Sequence, residues 1–585
     1  MDLSRRSLLQ SVGAGSLVTA SACLGVVPGD DDGDDGDDGT PADDAVAERR
    51  VASGATPTPH VDDIPEGGDA ENFELVGHAP LYDEHQHVDE EFEVPRGSNG
   101  DITIAGDYVY VGSFIGHQPP LIVDVSDPED PEVVGPIPDT IPGVGNGIED
   151  IEASGDVLVV GTRQPLGGLE FDVPEGEPER ALSIYDISDP EEPELVTRYD
   201  YEGLNTHACS LWRDPEDPER LLAVQSFDDV PNIKIVDLTG CPDPDECEPE
   251  VVAEWALETQ TGIDEYTHEA MLSTDGNRVY VAQYDAGTFL LDSSNLMEAL
   301  RNGGDCDPEQ PSDTPGDDHC LTLLNPDIED RLHTDPPFTA EWHHTPLKVP
   351  DRPYLLMTAE ATGPRWDADA EEVLQGSCPG AFTRTVYVGE DEYEHHPSRD
   401  GGALRGDLHP QIAGVFGLPE QQLEHCTEDG WVEDAAPPRA WLSPHYALVF
   451  PDLAFVTYYG SGLRAIDISN AATPMEAGYF FNDPVDDVRW TSYGIVGERE
   501  TDDDGTIIAR PNPTANHMFA FSFPILKDGY LLYGDIHSGL YVLEYDGPHA
   551  DQLPDDGTCL SGNPGAIEAG YEPCPPYGET EWTGG

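Results

Sequence analysis

The sequence predicts an all-β fold: a seven-bladed β-propeller of four-stranded blades, closed into a ring by an N-terminal strand. Three observations lead to this prediction. One unit recurs along the chain, each clear copy contains short segments with strand-like alternation, and turn residues separate these segments. The units occupy residues 72–546 of the 585-residue chain.

The recurring unit has two diagnostic strands. The first has a pattern such as Tyr-Val-Tyr-Val, seen at Tyr108–Val111. The second ends in Asp-hydrophobic-Ser-Asp-Pro, as at Asp124 and again at Asp186. β-Branched and aromatic residues favour strands, whereas Asp-Pro favours a turn. Each unit is therefore predicted to be an antiparallel sheet. Aspartates at the same place in other units are Asp237, Asp292 and Asp467.

These aspartate-ended strands and their Asp-Pro turns are where the sequence resembles the LVIVD-repeat family. The resemblance extends over residues 72–546, and the fifth unit departs from it, with Tyr387-Val388-Gly389 where the aspartate is expected. The resemblance implies a β-propeller displayed outside the cell. It does not imply one reaction, because a fold alone does not determine a function.

The last unit lacks an obvious fourth strand. The segment Phe73–His78 has the pattern of that strand, although it precedes the first unit. We therefore expect it to complete the last blade, which would remove exposed sheet edges.

Residues 1–23 are predicted to be a twin-arginine export signal with a lipobox. Arg5 and Arg6 precede a stretch that is too short and too polar to span a bilayer comfortably. The sequence Ala-Ser-Ala-Cys at residues 20–23 is typical of a site where lipid is attached to the cysteine, here Cys23. We expect export by the twin-arginine route and lipid anchoring on the outer face of the cytoplasmic membrane; the alternative is a plain soluble product.

Two acidic segments flank the predicted propeller. Residues 24–71 contain few large apolar side chains and are expected to be a disordered, extended tether. Residues 547–585 are expected to be an acidic Gly/Pro-rich tail that contains one disulfide.

The charge is strongly negative. Acidic residues number 119 against 26 basic ones, which gives a formal net charge of −93. Such self-repulsion is screened at molar salt, where the Debye length is about 3 Å. This composition predicts a protein of an extreme halophile, with a haloarchaeal source expected. With no basic patch to meet phosphates, nucleic-acid partners are excluded, and we expect a monomer.

Ten cysteines are consistent with an oxidising exterior. One is Cys23, and Cys209 lies in an apolar run and is expected to be a buried, unreactive thiol. The other eight are predicted to form local disulfides that close loops: Cys241–Cys247, Cys306–Cys320, Cys378–Cys426 and Cys559–Cys574.

A second regularity concerns the first strand of each blade. Five blades open this strand with histidine, and the second blade has Glu149 in the same register. Because the first strand of a blade lines the central channel, these side chains are predicted to face one axis. In the fifth blade His343 and His344 cannot both point inward, and the register favours His344. The predicted ring consists of Glu149, His207, His268, His344, His445 and His517.

The ring has two interpretations. Convergent imidazoles and a carboxylate suit Fe, Cu, Zn or Mn. Alternatively, an ancestral blade carried a histidine that hydrogen-bonded to its neighbour's backbone, and duplication copied it. Clustered titratable groups mark functional sites only probabilistically, so the sequence leaves both interpretations open, and the cofactor is undetermined.

Two functions follow. The first is a non-enzymatic, lipid-anchored surface module that binds a protein, a glycan or a small molecule. The alternative is a metal-dependent enzyme, an oxidoreductase or hydrolase, that works at the histidine ring. The first is favoured, because the sequence contains no recognisable nucleophile elbow, phosphate-binding loop or zinc-protease motif.

Overall fold

A computed structural model of the chain contains one compact unit with described residues, Val51–Gly585; the other unit, Met1–Arg50, has none. The described residues are 54–57, 68–81, 92–93, 99–113, 119–141, 144–163, 180–201, 203–228, 230–256, 267–308, 319–324, 341–361, 365–367, 372–374, 381–389, 392–393, 404–405, 410–421, 426–427, 430–431, 442–483, 500–501, 507–508, 518–553 and 559–560.

The recurring element is an antiparallel sheet in which consecutive strands pair. Three N-terminal strands precede the first of these sheets: β1 (Asp69–Glu71), β2 (Phe73–Ala79) and β3 (Phe92–Glu93). Units 1 and 2 consist of β4 (Asn99–Ala105), β5 (Tyr108–Ser113), β6 (Leu121–Asp124), β7 (Glu132–Pro136), β8 (Gly145–Ser154), β9 (Val157–Arg163), β10 (Leu182–Asp186) and β11 (Glu194–Tyr199).

Units 3 and 4 continue this pattern, with a helix before the last strand of unit 4. Their elements are β12 (Thr206–Asp214), β13 (Asp217–Phe227), β14 (Asn232–Asp237), β15 (Glu250–Ala256), β16 (Thr267–Leu272), β17 (Arg278–Gln283), β18 (Gly287–Asp292), α1 (Ser294–Asn302) and β19 (Thr322–Leu323).

Unit 5 is the sheet β20-β21-β24-β27, and short strand pairs lie in its connections. The elements from this unit to the next are β20 (Glu341–Lys348), β21 (Tyr354–Ala361), β22 (Arg365–Asp367), β23 (Glu372–Leu374), β24 (Thr383–Tyr387), β25 (Glu392–Tyr393), β26 (Leu404–Arg405), β27 (Gln411–Phe416), β28 (Cys426–Thr427) and β29 (Gly430–Trp431).

Units 6 and 7 complete the described part of the chain. Unit 6 is formed by β30 to β33, and unit 7 by β36 to β38 together with β2. The strands are β30 (Pro444–Val449), β31 (Leu453–Tyr458), β32 (Gly462–Asp467), β33 (Met475–Phe481), β34 (Glu500–Thr501), β35 (Ile507–Ile508), β36 (Ile525–Lys527), β37 (Tyr530–Asp535), β38 (Gly539–Tyr545) and β39 (Cys559–Leu560).

The aspartate of the repeat has a structural role in the turn after the third strand. In unit 1, Oδ1 of Asp124 accepts a hydrogen bond of 2.8 Å from the backbone N–H of Ser126. The same bond is present at Asp186, Asp237, Asp292 and Asp467, with lengths of 2.8, 2.8, 2.9 and 2.9 Å. A side-chain carboxylate that binds the N–H two residues later is an Asx turn, which ends the strand.

Unit 4 departs from an all-β pattern. Ser293 and Ser294 follow its aspartate in place of the usual Ser-Asp-Pro, and α1 begins there. Leu296 and Met297 of α1 are buried in the apolar cluster between units 3 and 4. This is the one α-helix in the described ranges, and no helix there is long and apolar enough to cross a membrane.

The apolar core lies between neighbouring sheets. A cluster of buried side chains joins each consecutive pair of units from 1 to 7. A further cluster contains Ile102 and Val109 of unit 1 together with Leu532 and Leu540 of unit 7. The first and last sheets therefore pack against each other as consecutive sheets do.

The N-terminal strand pairs as the sequence predicts. β2 is antiparallel to β38, with Phe73 opposite Tyr545 and Ala79 opposite Leu540. In addition, the backbone N–H of Asn99 in β4 donates to the carbonyl oxygen of Ile536 at 3.1 Å. Unit 7 is thus completed from the chain's N-terminal side and lies directly beside unit 1.

The structure differs from the predicted tether in part. β1, which lies within residues 24–71, adds a fifth strand to unit 6 by pairing with β33. Ala55 is buried there, and the N–H of Thr56 donates to Oε1 of Glu476 at 2.6 Å. In the tail, β39 pairs with β36. Composition missed these contacts because strand pairing uses the backbone and tolerates polar side chains.

Two of the predicted disulfides lie among the described residues. The Sγ atoms of Cys241 and Cys247 are 2.02 Å apart, and those of Cys306 and Cys320 are 1.97 Å apart. Cys209 is a buried free thiol. The pairs Cys378–Cys426 and Cys559–Cys574 each include a cysteine outside the described residues.

The contact between units 7 and 1 can be tested at two equivalent glycines. A Cβ on Gly77 of β2 would lie 2.1 Å from the carbonyl oxygen of Pro128 in unit 1, whereas one on Gly135 of β7 would have nothing within 4 Å. We expect Gly77→Ala to lower the free energy of unfolding by roughly 1–3 kcal/mol and Gly135→Ala to change it by less than about 0.5 kcal/mol. Denaturant unfolding in molar salt measures both; equal effects would contradict the contact.

Candidate functional site

Register shifts in the innermost strands aim a set of side chains at the axis. In units 2 to 6 the pairing of the first strand with the second is interrupted, and the interruption contains the residue of the predicted ring. A β-bulge takes such residues out of the ladder and redirects their side chains. The shifts lie between Asn146 and Ile151, Thr206 and Cys209, Thr267 and Ala270, His343 and Thr345, and Pro444 and Ala447.

Four imidazoles of the predicted ring lie next to one another in unit order. The ring centroids of His207 and His268 are 4.4 Å apart, those of His268 and His344 3.6 Å, and those of His344 and His445 4.2 Å. All four side chains are buried. Side chains from units 3 to 6 therefore meet at one place, which no single unit could provide.

Glu149 joins this group from unit 2. Its Oε2 lies 3.4 Å from Nε2 of His207 and 3.1 Å from Nε2 of His268. The ligand atoms of Glu149, His268 and His344 all lie within 4.8 Å of one another. Gly147 precedes Glu149 with a φ of 66°, which glycine adopts without a Cβ clash, so the bulge can form there.

The structure distinguishes the two adjacent histidines of unit 5. His344 lies in the bulge and contacts His268 and His445. His343 points elsewhere, and its Nδ1 is 2.8 Å from Oγ1 of Thr288 in unit 4. The fifth predicted histidine, His517, lies outside the described residues, as do Cys23, Arg5 and Arg6.

His207 differs chemically from the other three histidines. Its Nδ1 is 2.8 Å from Oδ1 of Asp228, and it also contacts Arg163, whose Nη2 donates to Oε1 of Glu149 at 3.2 Å. Burial would lower the pKa of His207, but Glu149 and Asp228 outweigh burial and the pKa rises to about 8. His207 is therefore protonated at neutral pH and pairs with two carboxylates.

Glu149 remains ionised although it is fully buried. Burial would raise its pKa, but the charge of His207 and hydrogen bonds from His207 and His268 outweigh burial. The pKa of Glu149 is consequently held well below its usual range. A negative charge is thus fixed at the centre of the site.

The remaining three imidazoles are neutral. Burial, followed by the charge of His207, lowers the pKa of His268 to about 4, and burial lowers that of His445 to about 3. The pKa of His344 lies well below its usual range for the same reason, with His268 and His445 adding to the effect. Neutral imidazoles offer the lone pair that a metal ion requires.

Hydrogen bonds select which nitrogen presents that lone pair. Nδ1 of His445 donates to the carbonyl oxygen of Phe521 at 2.5 Å, and Nδ1 of His344 lies 2.7 Å from Oγ1 of Thr345. Within the described residues, Nε2 of both side chains is buried and has no hydrogen-bond partner. A histidine held at one nitrogen by a carbonyl and open at the other is typical of metal ligands.

A group of buried carboxyls lies beside the imidazoles. The hydroxyl of Tyr446 is 3.3 Å from Oε2 of Glu149 and 3.3 Å from Oε2 of Glu269. Burial, with neighbouring carboxylates adding to it, raises the pKa values of Glu269, Asp101 and Glu152 well above their usual range. Tyr446 therefore connects the ionised Glu149 with Glu269, a carboxylic acid that holds its proton.

Sequence reasoning identified the ring positions but missed the residues that hold them. Glu269 and Tyr446 directly follow His268 and His445, so the repeated position after each ring histidine was an available signal. Arg163 ends the second strand of unit 2, and Asp228 directly follows that of unit 3. Asp535 and His537, which lie at the end of β37 and in the turn after it, are also buried.

Connections of the chain attach at the end of the sheets where the ring lies. In an antiparallel four-stranded unit, the connection after the second strand and the connection to the next unit both attach at the end where the first strand begins. The ring residues lie near that beginning. Five strands end there before the chain leaves the described residues, at Arg163, Ala256, Leu323, Ala361 and Phe481.

Three parts of the chain match the family model described as the LVIVD repeat: residues 96–137, 179–201 and 449–481. The chain carries LVIVD repeats. The matched segments cover unit 1, the third and fourth strands of unit 2, and most of unit 6. These repeats are typical of β-propellers, which agrees with the observed sheets of meandering strands.

Two solved structures are similar to this chain, each with a TM-score of only 0.39. Sqt1 of Chaetomium thermophilum, bound to the N-terminus of the ribosomal protein L10, is 10% identical over 81% of this chain and 91% of that one, with a TM-score of 0.39. The Cps50 (Swd1) β-propeller domain of Myceliophteria_thermophila is 10% identical over 77% and 98%, with a TM-score of 0.39. Neither similarity is close enough to bear on function. No curated protein matches the chain significantly.

Glu152 provides a test of the buried carboxyls. Its Oε2 is buried and has no hydrogen-bond partner among the described residues, and burial followed by the charge of Asp101 raises its pKa. We expect Glu152→Gln to raise the free energy of unfolding at neutral pH by roughly 1–3 kcal/mol. The folded state retains a proton that the unfolded state releases above about pH 4.3, so wild-type stability falls as the pH rises from there.

The gain from Glu152→Gln should therefore grow with pH and vanish near pH 4. Denaturant unfolding at several pH values in molar salt measures it, and Glu132→Gln on the exposed face of β7 is the control. A variant that is less stable than the wild type at neutral pH would show that the carboxyl is not a buried, costly group.

Proposed function

We propose that this protein is a β-propeller with a transition-metal centre on its axis, and that Glu149, His268 and His344 hold the ion with His445 as a further ligand. The observation that carries the proposal is the convergence of the first three residues, whose ligand atoms lie within 4.8 Å of one another. Two neutral imidazoles and one carboxylate form a donor set that suits Fe, Cu, Zn or Mn.

The proposal extends to an enzyme that uses this centre as an oxidoreductase or a hydrolase. A bound ion would supply Lewis-acid or one-electron chemistry there. The protein's own groups would hold charge and protons around it: Glu149 stays ionised, His207 carries a positive charge, and Tyr446 links Glu149 to the protonated Glu269. Which metal binds decides between the two reaction classes.

The alternative, in which each histidine separately supports its neighbour's backbone, accounts for less. It fits His445, whose Nδ1 binds the carbonyl oxygen of Phe521. His268 instead contacts Glu149, His207 and His344, all of them members of the ring from other units. A set of independent supports gives no reason for side chains from several units to meet.

We also propose that units 1 to 7 form a closed seven-bladed ring. The support is the apolar cluster between units 7 and 1, together with the pairing of β2 with β38. Closure brings first strands from all units around one axis, which a metal site built from several units requires.

A second candidate is a surface module that binds a protein, a glycan or a small molecule. The observation in its favour is that five strands end at the ring end of the sheets before the chain leaves the described residues. Loops that a rigid scaffold holds together are common binding surfaces. In this case the ring would serve stability alone.

Metal analysis separates these functions. Protein from cells supplied with Fe, Cu, Zn and Mn, purified in molar salt because of its net charge of −93, is expected to contain about one ion per chain. His268→Ala and His344→Ala should each lose that ion, because each removes one ligand. His343→Gln is the matched control: it changes a buried histidine beside His344 that binds Thr288 instead.

Two results would contradict the metal centre. One is wild-type protein free of all four metals. The other is additive loss of stability in a His268→Ala and His445→Ala double variant, without a metal to lose, as independent supports predict. Either result would leave the surface module as the better function.

We propose, further, that the protein is exported by the twin-arginine route and anchored through lipid on Cys23. The sequence around Arg5, Arg6 and Cys23 supports this proposal. Cys23→Ser should release the protein from the membrane fraction into the medium, because the lipid acceptor is lost. Arg5→Lys combined with Arg6→Lys should block export. Membrane-bound Cys23→Ser protein would contradict the anchor; fractionation followed by immunoblotting measures both.

A further inference from the structure

A second set of equivalent positions surrounds the ring. In units 3 to 6 the residue before the ring histidine pairs with a residue near the end of the second strand: Phe227, Gln283, Ala359 and Tyr458. In each unit the next residue on that strand or its turn lies beside the ring. We call these residues the collar: Asp228, Tyr284, Glu360 and Tyr459, with Arg163 as the counterpart in unit 2.

Collar residues contact the ring residue of their own unit. Asp228 binds His207, and Arg163 binds Glu149. Tyr284 stacks on His268, with ring centroids 5.3 Å apart, and Tyr459 lies 4.9 Å from His445. The collar is thus a second layer that supports the ring one unit at a time.

Glu360 is the exception, because its contacts are with the collar residues of the two neighbouring units. Its Oε2 accepts a hydrogen bond of 2.9 Å from the hydroxyl of Tyr284, and its Oε1 accepts one of 2.7 Å from the hydroxyl of Tyr459. Glu360 is fully buried. Trp342, which pairs with it across β20 and β21, stacks on Tyr284 with ring centroids 5.0 Å apart. One carboxylate therefore links two tyrosines across units 4, 5 and 6.

We propose that Glu360 is a positioning residue of the axial metal centre: through Tyr284 and Tyr459 it fixes the ring planes of His268 and His445. This inference rests on the proposed metal function. Its basis is the continuous chain of contacts from Glu360 through each phenol to an imidazole. Two hydrogen bonds that end on the two oxygens of one buried side chain restrict the orientation of both donors.

The expected effect follows from how outer residues act on metal ligands. Groups that orient ligands without touching the ion contribute roughly 10–100-fold to metal affinity. Removing Glu360 takes this acceptor from the buried Tyr459 and the half-buried Tyr284, so both phenols can rotate relative to the imidazoles. The ligand set remains complete, but its geometry becomes less well defined.

The test uses the full chain in molar salt with Cu²⁺ as the only added metal. We expect Glu360→Ala to raise the Kd for Cu²⁺ by roughly 10–100-fold and to change the electron paramagnetic resonance spectrum of the bound ion. Glu360→Gln keeps one acceptor oxygen and should restore part of both. Tyr284→Phe with Tyr459→Phe, which keeps the stacked rings, should shift the spectrum in the same direction.

Glu476→Gln is the matched control, since the side chain of Glu476 is only 5% exposed and one of its carboxylate oxygens lies 2.6 Å from Nη1 of Arg464 in unit 6. It should leave the Kd and the spectrum unchanged. A folded Glu360→Ala protein with the wild-type Kd and spectrum would overturn the inference, and so would an equal change in Glu476→Gln. If Glu360→Ala does not fold, an unchanged spectrum in the double tyrosine variant overturns it.

Failure of the inference differs from failure of the proposed function. If the wild type contains none of Fe, Cu, Zn and Mn and also binds no added Cu²⁺, both are wrong. If His268→Ala abolishes binding while Glu360→Ala and the double tyrosine variant bind as the wild type does, the metal centre stands and the positioning role alone is wrong.

Discussion

The register shift in the innermost strands is the constraint on which the rest of the site depends. A regular strand alternates its side chains between two faces, both of which pack against neighbouring sheets in this protein. Side chains can point along the axis only where a bulge removes residues from the ladder. Because the shift recurs at His207, His268, His344 and His445, one repeated backbone irregularity produces a shared site.

Burial gives these side chains their separate chemical states. Glu149 is surrounded by protein, and its charge persists because Arg163 and the protonated His207 lie against it. For His268, His344 and His445 no carboxylate outweighs desolvation, so these three imidazoles are neutral. Similar residues at equivalent positions therefore divide into a charged pair and a set of neutral donors.

The fold was largely predictable from the sequence because its signals are local. Strand alternation and the Asx turns at residues such as Asp124 and Asp467 depend on neighbouring residues, and the pattern of Phe73–His78 pointed to its pairing with the last unit. The site was predictable in part. Repeat position identified the histidines, but the assignment of His207 to an ion pair depends on Asp228 and Arg163, which only the packing brings together. The pairing of β1 with β33 left no compositional signal.

The central claim is that side chains from several units meet to hold one metal ion. Diffraction data collected at the absorption edge of the metal found in the purified protein test it most directly. The account predicts an anomalous difference peak about 2.0–2.2 Å from an imidazole nitrogen of His268, Nε2 of His344 and a carboxylate oxygen of Glu149. A peak at another set of residues, or none at the ring in crystals of metal-containing protein, would contradict the account.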